Sequence, residues 1–108
     1  IKMSNFKELS KSVIEWANDK NLLEPENHKS QFLKFIEESG ELAQGILKSN
    51  DELIEDSFGD VLVTLIILAK QLDYDLVECL ETAYNEIKAR TGETVNGTFI
   101  KKTFKNFK

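Results

Sequence analysis

The side chains with chemical potential in this chain are mostly oxygen donors. Between residues 37 and 60 it carries Glu37, Glu38, Glu41, Asp51, Glu52, Glu55, Asp56 and Asp60 against a single lysine, Lys48. In Lys34-Phe35-Ile36-Glu37-Glu38-Ser39-Gly40-Glu41, helical geometry sets Glu38 and Glu41 three residues apart and Glu37 and Glu41 four apart, so three carboxylates crowd one side. Like charges at that spacing cost roughly a few tenths of a kcal/mol each, and a glycine inside a helix costs about 1 kcal/mol relative to alanine. Further along, Glu52, Asp56 and Asp60 follow at steps of four, and Gly59 again puts a glycine directly before an acid. Two such clusters facing each other form a cage of oxygen ligands, the donor set preferred by hard Mg2+. Either cluster alone is equally a solvated face, and either glycine equally a place where helices approach closely. Their combination on successive helices, joined by a turn short enough to make them antiparallel, favours the cage.

Those carboxylates need a scaffold, and the periodicity supplies helices. Ser4 can cap a first helix in which Phe6, Leu9, Val13, Ile14 and Ala17 recur at three- and four-residue steps. Asn21 to Asn27, containing Pro25, closes it. A second helix is expected from about His28 to Lys48, with Phe32, Phe35, Ile36, Leu42, Ala43, Ile46 and Leu47 on one broad apolar face. Asn50 or Asp51 caps a third, about Asp51 to Leu72, whose stretch Val61 to Ala69 is apolar nearly all round apart from Thr64. A fourth runs from about Asp75 to Arg90, with Leu76, Leu80, Ala83, Tyr84 and Ile87 in register. Thr91 and Gly92 end it, and Val95 to Lys102 around Asn96-Gly97 reads as a loop or small hairpin.

The composition bounds what this scaffold can be. With 108 residues, 41% hydrophobic and 31% charged, the chain reads as one all-α domain over 1–108, its core about 4–92 and a tail over 93–108. A helix apolar on every side must be covered on every side, and four helices barely manage that within one chain, so the bundle is expected to be completed by another copy. Val61 to Ala69 is about half the ~20 residues needed to cross a bilayer, which predicts no membrane span. A net charge of -5 argues against stable nucleic-acid binding. One cysteine, Cys79, and no signal-peptide pattern suggest a reducing cytoplasm, with Cys79 a small buried residue. Ile1 and Lys2 are given no role, and lone His28 reads as a surface residue near a helix start.

The residues resemble a family. Glu37-Glu38-x-x-Glu41, a gap, then an acid and Gly59-Asp60 opening an apolar helix are similar to the MazG-like all-α nucleoside triphosphate pyrophosphohydrolases, whose pattern is Glu-Glu-x-x-Glu followed by Glu-x-x-Asp. The likeness extends from about Trp16 to Lys102. It takes in Gln31-x-x-Lys34, Asn85-Glu86-Ile87-Lys88-x-Arg90 and Val95-Asn96-Gly97-x-Phe99-Ile100-Lys101, and resembles the short MazG-like proteins of bacteria and phages. One departure stands out: the family's glutamate in Glu-x-x-Asp falls on Ser57, which leaves Asp60 as the match and Asp56 as the candidate substitute.

The resemblance implies Mg2+-dependent hydrolysis (Mn2+ being a possible replacement) of a (deoxy)nucleoside triphosphate to the monophosphate and pyrophosphate. An acidic protein holds such an anion only through cations, which neutralise phosphate oxygens and make a bound water a better nucleophile. Glu38, Glu41 and Asp60 are then the expected metal ligands, with Asp56 as the substitute. Glu37 is either a further ligand or the base that takes a proton from the attacking water. Lys34 contacts phosphate or pairs with Glu37 or Glu38. Lys88 and Arg90 contact phosphate or serve a helix C-terminus, and Lys101 adds charge from the tail. Trp16 either stacks on the base or packs in the core, with Gln31 or Asn85 at polar edges. In the family such helices build dimers or pairs of dimers, so a homodimer or homotetramer is expected. The competing reading is a non-enzymatic helical module dimerising through Val61 to Ala69. A Ca2+ sensor fits less well, because Asp51 to Asp60 lacks the EF-hand loop's glycine at position six.

Overall fold

A computed structural model describes residues 5–102. Ile1, Lys2 and Ser4, the expected first cap, lie outside the described residues. The elements in order are α1 (Phe6–Asp19), a 3-10 turn (Pro25–Asn27), α2 (His28–Leu47), α3 (Asp51–Gln71), α4 (Leu76–Ile87), β1 (Gly92–Val95) and β2 (Thr98–Lys101). The protein is all-α with a small C-terminal hairpin, as the periodicity predicts. It forms two compact units that divide after Val77.

In the first unit the caps are local chemistry. Asn5, rather than Ser4, caps α1 by accepting from the Glu8 amide at 2.8 Å, and Asn50 caps α3 by accepting from Leu53 at 3.1 Å. Asn21, Ser49 and Asp73 each take a left-handed conformation after a helix. The amide that follows each of them bonds back five residues, Leu22 to Ala17, Asn50 to Gly45 and Tyr74 to Ala69, at 2.8–2.9 Å. The same Schellman closure thus ends α1, α2 and α3 without a glycine.

The three-residue connection Lys48 to Asn50 folds α2 and α3 into a helical hairpin, and α3 also packs on α1 and the 3-10 turn. The close approach is at Gly45, where an added Cβ would lie 3.1 Å from Ile54 Cγ1 and 3.2 Å from the Ile54 nitrogen. Gly40 and Gly59 have no such neighbour within 4 Å, so tight helix contact does not explain them. At the other end of the hairpin Gln31 Nε2 donates to the Thr64 carbonyl at 3.2 Å. Between these two contacts, Glu38 and Glu41 stand level with residues 56–60 of α3.

Among the described residues the fully buried apolar side chains are Ala17, Ile66 and Ile67. The broad face expected of α2 is only partly covered: Phe35 and Leu42 are half-buried, whereas Phe32, Ile36, Ile46 and Leu47 are exposed. Within the first unit α3 covers one side of α2 and leaves these side chains on the other.

In the second unit, Leu80, Tyr84 and Ile87 of α4 are exposed, and so is Cys79, against the expectation of a buried thiol. β1 and β2 pair antiparallel, Gly92 opposite Lys101 and Val95 opposite Thr98. Asn96 and Gly97, with φ of 51° and 81°, form the two-residue turn whose positive φ values suit a hairpin. The hairpin begins at Gly92, earlier than the sequence suggested. The helix stops at Ile87 and leaves Gly92 for the strand, where an added Cβ would collide with the Ile100 carbonyl oxygen across the ladder.

Candidate functional site

The site is built on the hairpin of α2 and α3. Glu38 is the one buried acid among the described residues, 9% exposed, and it lies on the α2 face turned toward α3. Glu41, one turn on, presses against it. The polar interaction with Glu41, burial and repulsion by the Glu41 charge raise the Glu38 pKa above its ordinary carboxylate value, against a lowering pull from Lys34. One Glu38 oxygen, Oε2, is buried and has no hydrogen-bond partner among the described residues. Lys34 Nζ lies 3.7 Å from Glu37 Oε1 and 3.7 Å from Glu38 Oε1, so the ion-pair alternative for Lys34 is realised. Glu37 itself is largely exposed.

On α3 the residue facing α2 at this height is Ser57, 2% exposed. Asp56, a third of a turn away, points to solvent. Asp60, one turn beyond Ser57 on the same side, is also exposed. The expected ligands are therefore level with one another, but only Glu38 and Glu41 are in contact. Among the described residues no group of three or more His, Cys, Asp or Glu side chains is gathered tightly enough to hold an ion alone. The pair does suit a hard cation: both donors are carboxylates, and one buried oxygen of Glu38 is unsatisfied.

Beside the carboxylates is a cavity of about 460 Å³ where the end of α1, the start of α2 and the second half of α3 meet. Trp16, Leu22, Val63 and Ile67 supply its apolar walls, and Gln31, Thr64 and Gln71 its inner polar groups. Lys34 lines it too, and so joins the cavity to the acids. Trp16 is 51% exposed, which places it on a cavity wall and not in the core. His28 caps locally, its Nδ1 2.8 Å from the Pro25 carbonyl.

Four expected substrate contacts belong to the second unit. Asn85 is exposed on α4, Lys88 Nζ lies 5.7 Å from the centre of the Tyr84 ring, and Arg90 follows the helix end. Lys101, on β2, lines a cleft of about 560 Å³ with Gly92, Glu93 and Ile100.

Sequence reasoning missed Gln71, and it noted Thr64 only as an interruption of an apolar run. Ser57, Thr64 and Gln71 recur every seven residues on α3, all 5% exposed or less. A polar residue at each heptad step through an apolar helix was the available signal, since such a stripe repeats on one face.

A buried Glu38 beside an exposed Glu41 on a helical hairpin, adjoining an apolar cavity through Lys34, defines an all-α protein with paired carboxylates next to a cavity. Comparison with known proteins narrows this: the MazG nucleotide pyrophosphohydrolase domain matches residues 26–95, and the chain belongs to that family. It is also 43% identical over 75 residues to the "Uncharacterized 18.2 kDa protein in rep-hol intergenic region" of Haemophilus phage HP1 (strain HP1c1), a match covering 69% of this chain and 46% of the phage protein. The chain thus spans about half the length of that relative. No solved structure matches. No described helix is long and apolar enough to cross a membrane.

Proposed function

We propose that this chain hydrolyses a (deoxy)nucleoside triphosphate to the monophosphate and pyrophosphate with Mg2+, for which Mn2+ can substitute. The observation that carries the reading is buried Glu38, with Glu41 one turn on, adjoining through Lys34 a cavity walled by Trp16. Glu38 and Glu41 would hold the cation, with Asp60 from the level stretch of α3. When bound, the ion neutralises phosphate oxygens and lowers the pKa of a coordinated water. Lys34 meets the phosphate end at the cavity's edge, Trp16 offers a face for the base, and exposed Glu37 is placed on the solvent side, where an attacking water gives up its proton. Ser57, occupying the family's glutamate position, contributes a hydroxyl there in place of a charge, and Asp56 compensates only if its side chain swings around the helix.

The whole chain, 1–108, acts as one domain in this reading. It works as a homodimer or homotetramer in the cytoplasm without stable nucleic-acid contact. The exposed Leu33, Ile36, Ile46 and Leu47 supply the apolar area an assembly needs. The test is a panel of canonical and modified triphosphates with Mg2+, reading monophosphate and pyrophosphate. Turnover is expected to fall at least 100-fold in Glu41→Gln with the fold retained. Release of orthophosphate and diphosphate, or a Glu41→Gln variant as active as the parent, refutes the reading.

A further inference from the structure

The polar groups inside the cavity each donate to a main-chain carbonyl. Gln71 Nε2 donates to the Leu22 carbonyl at 2.8 Å, Gln31 Nε2 to the Thr64 carbonyl at 3.2 Å, and Thr64 Oγ1 to the Val61 carbonyl at 2.7 Å. The amide assignments are fixed by chemistry, because a reversed Gln71 would set its oxygen against the Leu22 oxygen. Each of these side chains spends a donor on a main-chain carbonyl and keeps an oxygen that can accept from a ligand. Gln71 is 4% exposed, and its Oε1 is buried with no hydrogen-bond partner among the described residues. A buried, unpaired acceptor is unfavourable until a donor reaches it. The donors lining the cavity, Asn27, Ser30, Lys34 and the Trp16 indole, belong to exposed residues.

We propose that this cavity selects nucleobases bearing an exocyclic amine, cytosine or adenine in type, over their keto counterparts, and that Gln71 is the specificity-determining acceptor. The proposal rests on the pyrophosphohydrolase reading for its substrate class and adds the base edge that is read. An amine brings an N–H donor to the unpaired Gln71 oxygen. A keto oxygen at the same ring position brings a lone pair against lone pairs, and sites built on hydrogen bonds reject such analogues strongly. Cytidine and uridine, or adenosine and inosine, differ at that one exocyclic group and in the protonation of the adjoining ring nitrogen.

Trp16 is the one tryptophan in the sequence, so its fluorescence reports occupancy of the cavity. The full chain is titrated in Mg2+ with CMP, UMP, AMP and IMP, and kcat/KM is then measured for the four triphosphates. The amino forms are expected to bind about 10- to 100-fold more tightly than the keto forms, and the isosteric Gln71→Met variant to narrow that ratio to about threefold. Because Gln71 also ties α3 to the segment after α1, a ligand-side control is added: N4,N4-dimethyl-CMP, which lacks the amine hydrogens, is expected to bind like UMP. The ratio of CMP to AMP binding tells which ring bears the amine. Equal binding of amino and keto forms, dimethylation without effect, or no response to any nucleotide overturns the proposal. Discrimination in binding without turnover refutes the hydrolase reading and leaves this inference standing; turnover without discrimination does the reverse.

Discussion

Substituting alanine for each helix glycine near the site separates two physical effects that act at different places. At Gly40 and Gly59 an added Cβ meets nothing within 4 Å, so Gly40→Ala and Gly59→Ala gain the full helix-propensity difference, about 1 kcal/mol. For a domain of this size that is a rise in Tm of roughly 4 to 8 °C. At Gly45 the same propensity gain is opposed by contacts of 3.1 Å to Ile54 Cγ1, 3.2 Å to the Ile54 nitrogen and 3.3 Å to Leu53 Cγ. The two side-chain carbons can yield, but the backbone nitrogen moves only with α3. Overpacking of this kind costs about 1–3 kcal/mol, so Gly45→Ala nets out between neutral and about 2 kcal/mol less stable. Thermal and urea unfolding followed by circular dichroism read all three variants. A Gly45→Ala protein stabilised as much as Gly40→Ala would show that α2 and α3 do not approach as described. Lowered stability at Gly40 or Gly59 that deepens with protein concentration would instead show a second copy occupying the space beside them.

The titration of Glu38 gives a further test. Its folded-state pKa is raised, chiefly by the polar interaction with Glu41 and by burial. Its contribution to stability is therefore complete at a pH below the ordinary carboxylate value and is lost as pH climbs through the raised one. Glu38→Gln is expected to be more stable than the parent at pH 7, with the gap closing toward pH 4 in urea unfolding; a gap independent of pH would refute the raised Glu38 pKa. Assembly is tested at Leu33 and Leu47, 63% and 85% exposed, and not at Ile66, which is 5% exposed and belongs to the chain's own core. Leu33→Asp with Leu47→Asp should yield a smaller species in sedimentation while retaining helicity, and an unchanged mass would exclude this face from any interface.

Helix existence and bounds were legible because their signals are local. Apolar spacing, Pro25, and the Ser49-Asn50 break mark α1 to α3 to within about a residue or two of the observed ends. The end of α4 was not, since Lys88 to Arg90 carry good helix formers while the hairpin claims Gly92 through cross-strand contact distant in sequence. The Glu38–Glu41 contact followed from three-residue spacing, but its burial depended on α3, and no local pattern states which of three neighbouring glutamates turns inward. Asp56 and Asp60 show the same limit: a step of four from Glu52 describes their own helix and says nothing of which face α2 covers. That face belongs to Ser57, Thr64 and Gln71, whose small or amide side chains pack against a neighbour without burying a charge.

That stripe links specificity to chemistry along one helix. Its lower end, Ser57, stands at the height of Glu41, and its upper members, Thr64 and Gln71, line the cavity. Lys34 belongs to both halves, as cavity lining and as partner of Glu38. A ligand using the whole arrangement must join an anionic end to a flat, hydrogen-bonding ring. On the proposed function inorganic triphosphate would engage only the acids through a cation, and a free base only the cavity. Each loses the orientation gained when both ends are held, the term that positions a phosphorus for attack. On the proposed function the order of damage is expected to follow: altering Gln71 or Thr64 should change which base is accepted, altering Glu38 or Glu41 should remove hydrolysis of every triphosphate, and altering Lys34 should touch both.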